Sequence, residues 1–202
     1  MIRIAILASG SGSNAENITK YFSHSGQIEV AAIICNKPDA YVLTRAKYLG
    51  VPSYMLSKTD FCDSDKALNL LCELNIDWVI LAGFLLLLPP SIVDRFDGHI
   101  LNIHPSLLPK YGGKGMYGDR VHKAVVEARE TESGITIHKI DTDYDRGTIV
   151  FQGKIKISPL DNAERVAQKV HALEYKFYPR IIEALALGKP FASEETVTAI
   201  DE

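Results

Sequence analysis

The chain has 202 residues, 47% of them hydrophobic and 23% charged, with a formal net charge of −3 at pH 7. A chain of this length buries about 70% of its unfolded surface, enough for a core that needs no disulfide or metal staple. The slight acidity argues against a nucleic-acid partner, because dedicated nucleic-acid binders carry a basic excess.

Residues 2–8 form a nearly continuous apolar run that breaks into Gly and Ser at residues 9–13. With a single Arg, at position 3, and a short run, this suits a strand buried on both faces better than a signal peptide. Residues 14–23 read as a helix, 27–35 as a second strand and 40–48 as a helix with Gly50 at its C-terminal stop. A short strand at 53–56, a helix at 60–74 and a strand at 78–82 follow. The longest apolar stretch, residues 78–90, is too short and too interrupted by Gly and Pro to span a bilayer, so no membrane partner is expected. Past Pro90 the rhythm loosens. Residues 99–103 are a fifth strand, 110–118 a glycine-rich loop and 119–128 a helix. Strands at 134–140 and 148–157 flank an acidic turn, and residues 160–187 form one long helix or two. Strands alternating with helices predict an α/β fold, Rossmann-like, with a mostly parallel central sheet in three layers. No linker or repeat interrupts the pattern, so residues 1–202 are expected to be a single domain with a phosphate-binding half at 1–100 and a catalytic half at 101–190. Cys35, Cys62 and Cys72 form no CxxC pair, and their odd number points to a reducing, cytoplasmic setting and to three small apolar side chains.

Two segments carry chemistry. Residues 9–15, Ser-Gly-Ser-Gly-Ser-Asn-Ala, join a strand to a helix, where backbone N–H groups and a helix N-terminus make an anion site. The Gly10-x-Gly12-x-x-Ala15 pattern also matches the dinucleotide fingerprint. An NAD site, however, wants a carboxylate at the end of the second strand, and here that strand ends in Cys35-Asn36-Lys37. The phosphate of a mononucleotide-like substrate fits best; a tight turn without a ligand is the plain alternative. The second segment is Asn102-Ile103-His104-Pro105-Ser106. Two residues apart on a strand, Asn102 and His104 project from one face near its carboxyl end, where ligands of parallel sheets bind. An amide donor beside an imidazole can hold an oxyanion and handle a proton. A structural histidine is the alternative, and Asp145 in the acidic turn is a possible partner.

These residues resemble the folate-dependent formyltransferases. Residues 9–14, Asn36-Lys37, Leu81-Ala82-Gly83-Phe84, residues 101–109 (Leu-Asn-Ile-His-Pro-Ser-Leu-Leu-Pro) and Asp145 carry the likeness, in order from residue 1 to about 190. The tRNA-formylating branch has an extra C-terminal domain and the deformylase branch an extra N-terminal one. Neither suits this length, so the glycinamide-ribonucleotide branch of purine biosynthesis is expected. That resemblance implies transfer of a formyl group from 10-formyltetrahydrofolate to glycinamide ribonucleotide by direct amine attack, without a metal. It implies catalytic roles for Asn102, His104 and Asp145 and phosphate contacts from Gly12, Ser13 and Asn14. It further implies a ribose contact from Glu174, with a solvated helix charge as the alternative. A folate pocket is implied at Leu85, Leu86, Leu87, Leu88, Asn102, Asp141, Thr142, Asp143 and Tyr144, with Lys110 and His122 at the rim. The chain departs from the family pattern at Leu86, where many members have Arg, and in residues 112–118, which are long and lack a His before His122. It also lacks an Arg near residues 60–66. A sugar-nucleotide N-formyltransferase and an NAD-dependent oxidoreductase are the competing readings.

Overall fold

A computed structural model describes residues 1–62, 65–140 and 147–197. They divide into two compact units, Met1–Asn102 and Ile103–Glu202, so the division cuts one strand between Asn102 and Ile103.

In the first unit, β1 (Ile2–Ala8) pairs in parallel with β2 (Ile28–Cys35) on one side and β4 (Trp78–Leu81) on the other. β3 (Ser53–Met55) extends the β2 side and β5 (Ile100–His104) the β4 side, both in parallel. Residues 4–8 of β1, 31–35 of β2 and all of β4 are buried. Strands covered on both faces carry no polar alternation, which is why they read as continuous apolar runs. The connections are α1 (Ser13–Phe22), α2 (Tyr41–Leu49), α3 (Lys58–Cys62), α4 (Lys66–Glu73) and α5 (Pro90–Arg95).

The helix expected over 60–74 is instead two helices, α3 and α4. The first starts early because Ser57 and Asp60 cap it reciprocally. Asp60 N–H donates to Ser57 Oγ at 3.2 Å, while Ser57 N–H and Oγ–H donate to Asp60 Oδ2 at 2.7 and 2.8 Å. Helix α5, which the apolar pattern does not reveal, opens with Pro90 at a position that needs no N–H. Of the cysteines only Cys35 is buried; Cys62 and Cys72 are exposed, which corrects the expectation of three buried apolar side chains. Both lie on the short helices of this revised segment, on turns that face solvent.

The second unit contains α6 (Asp119–Glu127), the antiparallel pair β6 (Glu132–Lys139) and β7 (Ile149–Lys156), α7 (Ala163–Ala186) and β8 (Glu194–Val197), which pairs in parallel with β7. Among the strand pairings within the two units, β6 with β7 is the antiparallel one. Helix α7 is single: Asn162 caps it by accepting from Arg165 N–H at 2.9 Å, and it continues through the buried Pro179. Strand β8 is absent from the sequence reading because Glu194-Glu195-Thr196-Val197 carries no apolar signal. Ion pairs hold it, Lys154 to Glu194 at 2.8 Å and Lys176 to Glu195 at 3.1 Å. No described helix is long and apolar enough to cross a membrane.

The segment after β5 lies against the β6–β7 pair. Gly134 permits this, since a Cβ there would meet Gly153 O at 2.0 Å and Leu107 Cδ2 at 2.8 Å. Thr136, fully buried, then anchors the segment. Its Oγ1 accepts from Leu108 N–H at 2.9 Å and from Gln152 Nε2–H at 2.9 Å, and donates to Ser106 C=O at 2.7 Å. Thr136→Val keeps the shape but strands the buried Leu108 N–H and a half-buried amide proton of Gln152, so a loss of about 2–4 kcal/mol is expected. Thr136→Ser, which retains the hydroxyl, should recover most of that. Urea unfolding of the two variants checks the assignment, and equal losses would refute it.

Candidate active site

In the first unit the carboxyl ends of three strands meet at Ser9, which is 3% exposed. Its N–H donates to Gly83 C=O at 3.0 Å and its Oγ–H to Asn36 Oδ1 at 2.6 Å, while Leu85 N–H donates to Ser9 Oγ at 2.9 Å. Asn36 therefore spends its amide oxygen on Ser9, at the position where a dinucleotide site would present a carboxylate to a ribose. The glycine loop is fixed by the same neighbourhood. Val42 N–H donates to Gly10 C=O at 3.2 Å. Gly12 adopts φ +77°, and a Cβ on it would lie 2.3 Å from Val42 Cγ2. Helix α1 opens on Gly12 without a side-chain cap, the arrangement that leaves first-turn amides for an anion. Asn14 is buried beneath the turn and Ser13 is half-buried. Among the four leucines of the expected folate segment, Leu85 and Leu87 are exposed, Leu86 is half-buried and Leu88 is buried. Ser9 and Asn36 are the residues that the sequence reading passed over as contacts; the hydroxyl in a Ser-Gly-Ser-Gly turn was the available signal.

In the second unit His104, 4% exposed, closes β5. Its Nε2–H donates to Tyr111 C=O at 2.8 Å, which leaves Nδ1 as the other ring nitrogen. Tyr111 makes this bond from a left-handed conformation, φ 56°. A non-glycine residue there costs about 1–3 kcal/mol unless its surroundings impose it. They do: Tyr111 Oη–H donates to Glu130 Oε1 at 3.0 Å, and Ser106 Oγ–H donates to Lys110 C=O at 2.7 Å. Lys110 Nζ donates to both oxygens of Glu130, at 2.9 and 3.1 Å, so this expected rim residue is tied to a carboxylate. Hydrogen bonds from Lys110 and Tyr111 hold the Glu130 carboxyl below its ordinary pKa.

Helices α6 and α7 of this unit carry three further groups. His122 is 1% exposed, and burial pushes its imidazole toward the neutral form, with the charge of His171 acting in the same direction. His171 donates Nδ1–H to Glu174 Oε2 at 2.9 Å, and Glu174 is 5% exposed. A buried helix carboxylate is not a solvated charge. Asp141, Thr142, Asp143, Tyr144 and Asp145, named above as folate and catalytic residues, lie outside the described residues.

Residues 2–182 match the formyl transferase family model. The chain is 39% identical over 195 residues to a phosphoribosylglycinamide formyltransferase of Haemophilus influenzae, covering 94% of this chain and 89% of that one. The chain belongs to the phosphoribosylglycinamide formyltransferase family. It is 36% identical to the chloroplastic phosphoribosylglycinamide formyltransferase of Arabidopsis thaliana, over 91% of its own length and 65% of that longer relative. The crystal structure of phosphoribosylglycinamide formyltransferase from Anaplasma phagocytophilum matches with a TM-score of 0.85 and 30% identity, over 100% of this chain and 96% of that one. The fold is thus the α/β formyltransferase fold with its mostly parallel strands. The chain is an enzyme of formyl transfer, which favours that reading over an NAD-dependent oxidoreductase, and family membership implies a folate-type co-substrate.

The glycine loop yields a direct test of its geometry. Gly12→Ala introduces both a left-handed alanine and a clash with Val42, and should cost more than about 2 kcal/mol. Gly10→Ala meets nothing within 4 Å, so it should stay within about 0.5 kcal/mol of the parent. Chemical denaturation reads both, and equal effects would show that the loop is shaped otherwise.

Proposed function

We propose that this enzyme transfers the formyl group of 10-formyltetrahydrofolate to the primary amine of glycinamide ribonucleotide, in purine biosynthesis and in the cytoplasm, as one formyltransferase domain. The observation that carries the residue assignment is the end of β5, where a half-buried Asn102 stands two residues before a buried His104 whose ring is held by the Tyr111 carbonyl.

The reaction is a direct displacement. The amine nitrogen attacks the formyl carbon, giving a tetrahedral species with a negative oxygen and a positive nitrogen. The bond from that carbon to N10 of the folate then breaks, and the proton lost by the attacking nitrogen ends on N10. Asn102 donates its side-chain N–H to the oxyanion. His104, with Nε2–H committed to Tyr111 C=O, acts through Nδ1–H in its charged form. Asp145 favours that charged form and passes the amine proton on through water. One preorganised oxyanion donor contributes about 3 kcal/mol to such a step. No covalent intermediate or metal enters this scheme.

Gly12, Ser13 and Asn14 take the phosphate of the ribonucleotide on backbone N–H groups, and Glu174 accepts from its ribose hydroxyls. Backbone groups of Leu85, Leu86, Leu87 and Leu88 hold the pterin together with Asp141, Thr142, Asp143 and Tyr144. Backbone recognition accommodates Leu86 where other members have Arg.

Incubating the enzyme with 10-formyltetrahydrofolate and glycinamide ribonucleotide, followed by mass spectrometry, should show the gain of one formyl group. Formylation of a sugar-nucleotide amine instead would overturn the substrate. Asp145→Asn should lower kcat by several orders of magnitude with little change in KM, because the lost charge acts mainly on the transition state. Asn102→Ala should lower kcat by roughly 10²–10³. Turnover of Asp145→Asn within about tenfold of the parent, about 1.4 kcal/mol, would remove Asp145 from the mechanism.

A further inference from the structure

Helices α6 and α7 bring two imidazoles and a buried carboxylate together in the second unit. The rings of His122 and His171 lie 6.1 Å apart at 73°, and the Tyr175 ring stacks on His171 at 6.3 Å and 15°. His122 is 1% exposed, and its Nδ1 has no hydrogen-bond partner among the described residues. Glu174 is 5% exposed, whereas the His171 side chain is 48% exposed. A carboxylate buried to that degree needs a cation and a hydrogen bond. The bond from His171 Nδ1–H to Glu174 Oε2, at 2.9 Å and three residues away on the same helix, supplies both.

We propose that His171 is a positioning residue for the ribonucleotide: it fixes Glu174 in place and, while charged, keeps the pair electrically neutral toward an anionic substrate. This rests on the assignment of Glu174 to the ribonucleotide made above. A neutral imidazole can still donate Nδ1–H to Glu174, so loss of the proton leaves the hydrogen bond and removes the charge. The pair then carries a net charge of −1 beside a substrate that bears a phosphate.

The surroundings set where this happens. On α7, Glu174 raises the His171 pKa above its ordinary value, chiefly through the hydrogen bond, against the opposing cost of burial. Asp119 on α6 acts in the same direction. His122, the other group facing His171 from α6, is held toward the neutral form by burial and then by His171 itself, and His104 at the end of β5 pushes it the same way. Tyr178, fully buried one turn beyond Glu174, has its pKa raised far above the ordinary range by burial and stays neutral. His171 is therefore the titrating member. Its charge is present below its raised pKa and lost as pH rises through it, so KM for the ribonucleotide should climb with pH on the alkaline side of neutrality.

The test combines kinetics and spectroscopy on the full chain. In the parent enzyme, the KM for glycinamide ribonucleotide should rise between about pH 6 and pH 8.5, centred above the ordinary histidine value of about 6.5. His171→Ala should raise that KM about tenfold at neutral pH, the worth of one charge-assisted hydrogen bond, and leave kcat little changed. His171→Asn places an amide N–H where Nδ1–H was but does not titrate. It should recover much of the lost affinity and flatten the KM profile, while titration of the substrate itself remains common to both proteins. NMR titration should show the His171 imidazole above the ordinary value in the parent, falling in Glu174→Gln. A KM for His171→Ala within about twofold of the parent would overturn the proposal, as would a parent-like KM slope in His171→Asn. A parent enzyme that formylates the ribonucleotide, together with a Glu174→Ala variant whose KM is unchanged, would refute the Glu174 assignment and the proposal with it. No formylation of the ribonucleotide at all would refute the function instead, and the NMR result would still report whether the His171–Glu174 pair exists.

Discussion

A parallel sheet that binds ligands at its carboxyl ends must first satisfy the backbone groups that its strands leave unpaired there. Each unit of this chain solves the problem with one buried hydroxyl. Ser9 links the ends of β1 and β2 to the segment after β4 through Asn36, Gly83 and Leu85. Thr136 does the same for the segment after β5, accepting from Leu108 and Gln152 and donating to Ser106. A hydroxyl suits this task because it donates one hydrogen bond and accepts two. Thr136 uses that full capacity, which is why a valine of the same shape is a poor substitute. The glycine loop and the leucine segment in the first unit, and the Tyr111 carbonyl that holds His104 in the second, lie next to these two anchors.

Much of the fold was legible because its strands are short, apolar and separated by helices. β1 was read to its limits, and β2, β4, β6 and β7 to within two residues, since burial on both faces or regular alternation leaves a signal inside each segment. The misses share a cause. The early start of α3 depends on the reciprocal Ser57–Asp60 cap, a four-residue feature hidden under a longer apolar period. Helix α5 starts at a proline, which a reading by apolar rhythm takes as a break. Strand β8 has no apolar residue before Val197 and exists through pairing with β7 and through Lys154 and Lys176. Such partners are distant in sequence, so no local window contains them.

The candidate site divides in the same way. Asn102 and His104 were readable because strand periodicity alone puts them on one face. The support for His104 was not. It needs the left-handed Tyr111, and nothing in Lys110-Tyr111-Gly112 announces that conformation; Glu130, nineteen residues on, helps to impose it. Glu174 was readable as a carboxylate on a helix, yet its burial, which argues against a solvated charge, depends on how α7 packs on α6 and on β6 and β7. The i, i+3 spacing of His171 and Glu174 was in plain sight and is the one local signal that would have predicted their pairing.

The two units treat negative charge by different physics, and this bears on how the enzyme responds to pH. In the first unit the anion site proposed for the glycine loop consists of backbone N–H groups at the start of α1, which carry no titratable proton at any pH at which the fold survives. In the second unit a buried histidine and a buried carboxylate, His122 and Glu174, sit beside the half-exposed His171. Burial makes His122 resist protonation, and Glu174 makes His171 retain its proton. These opposite shifts, on neighbouring rings 6.1 Å apart, favour a neutral His122 beside a charged His171 and so work against two adjacent cations. The pH-dependent charge proposed for His171 thus lies in the second unit, while the phosphate grip proposed for the glycine loop rests on groups that do not titrate.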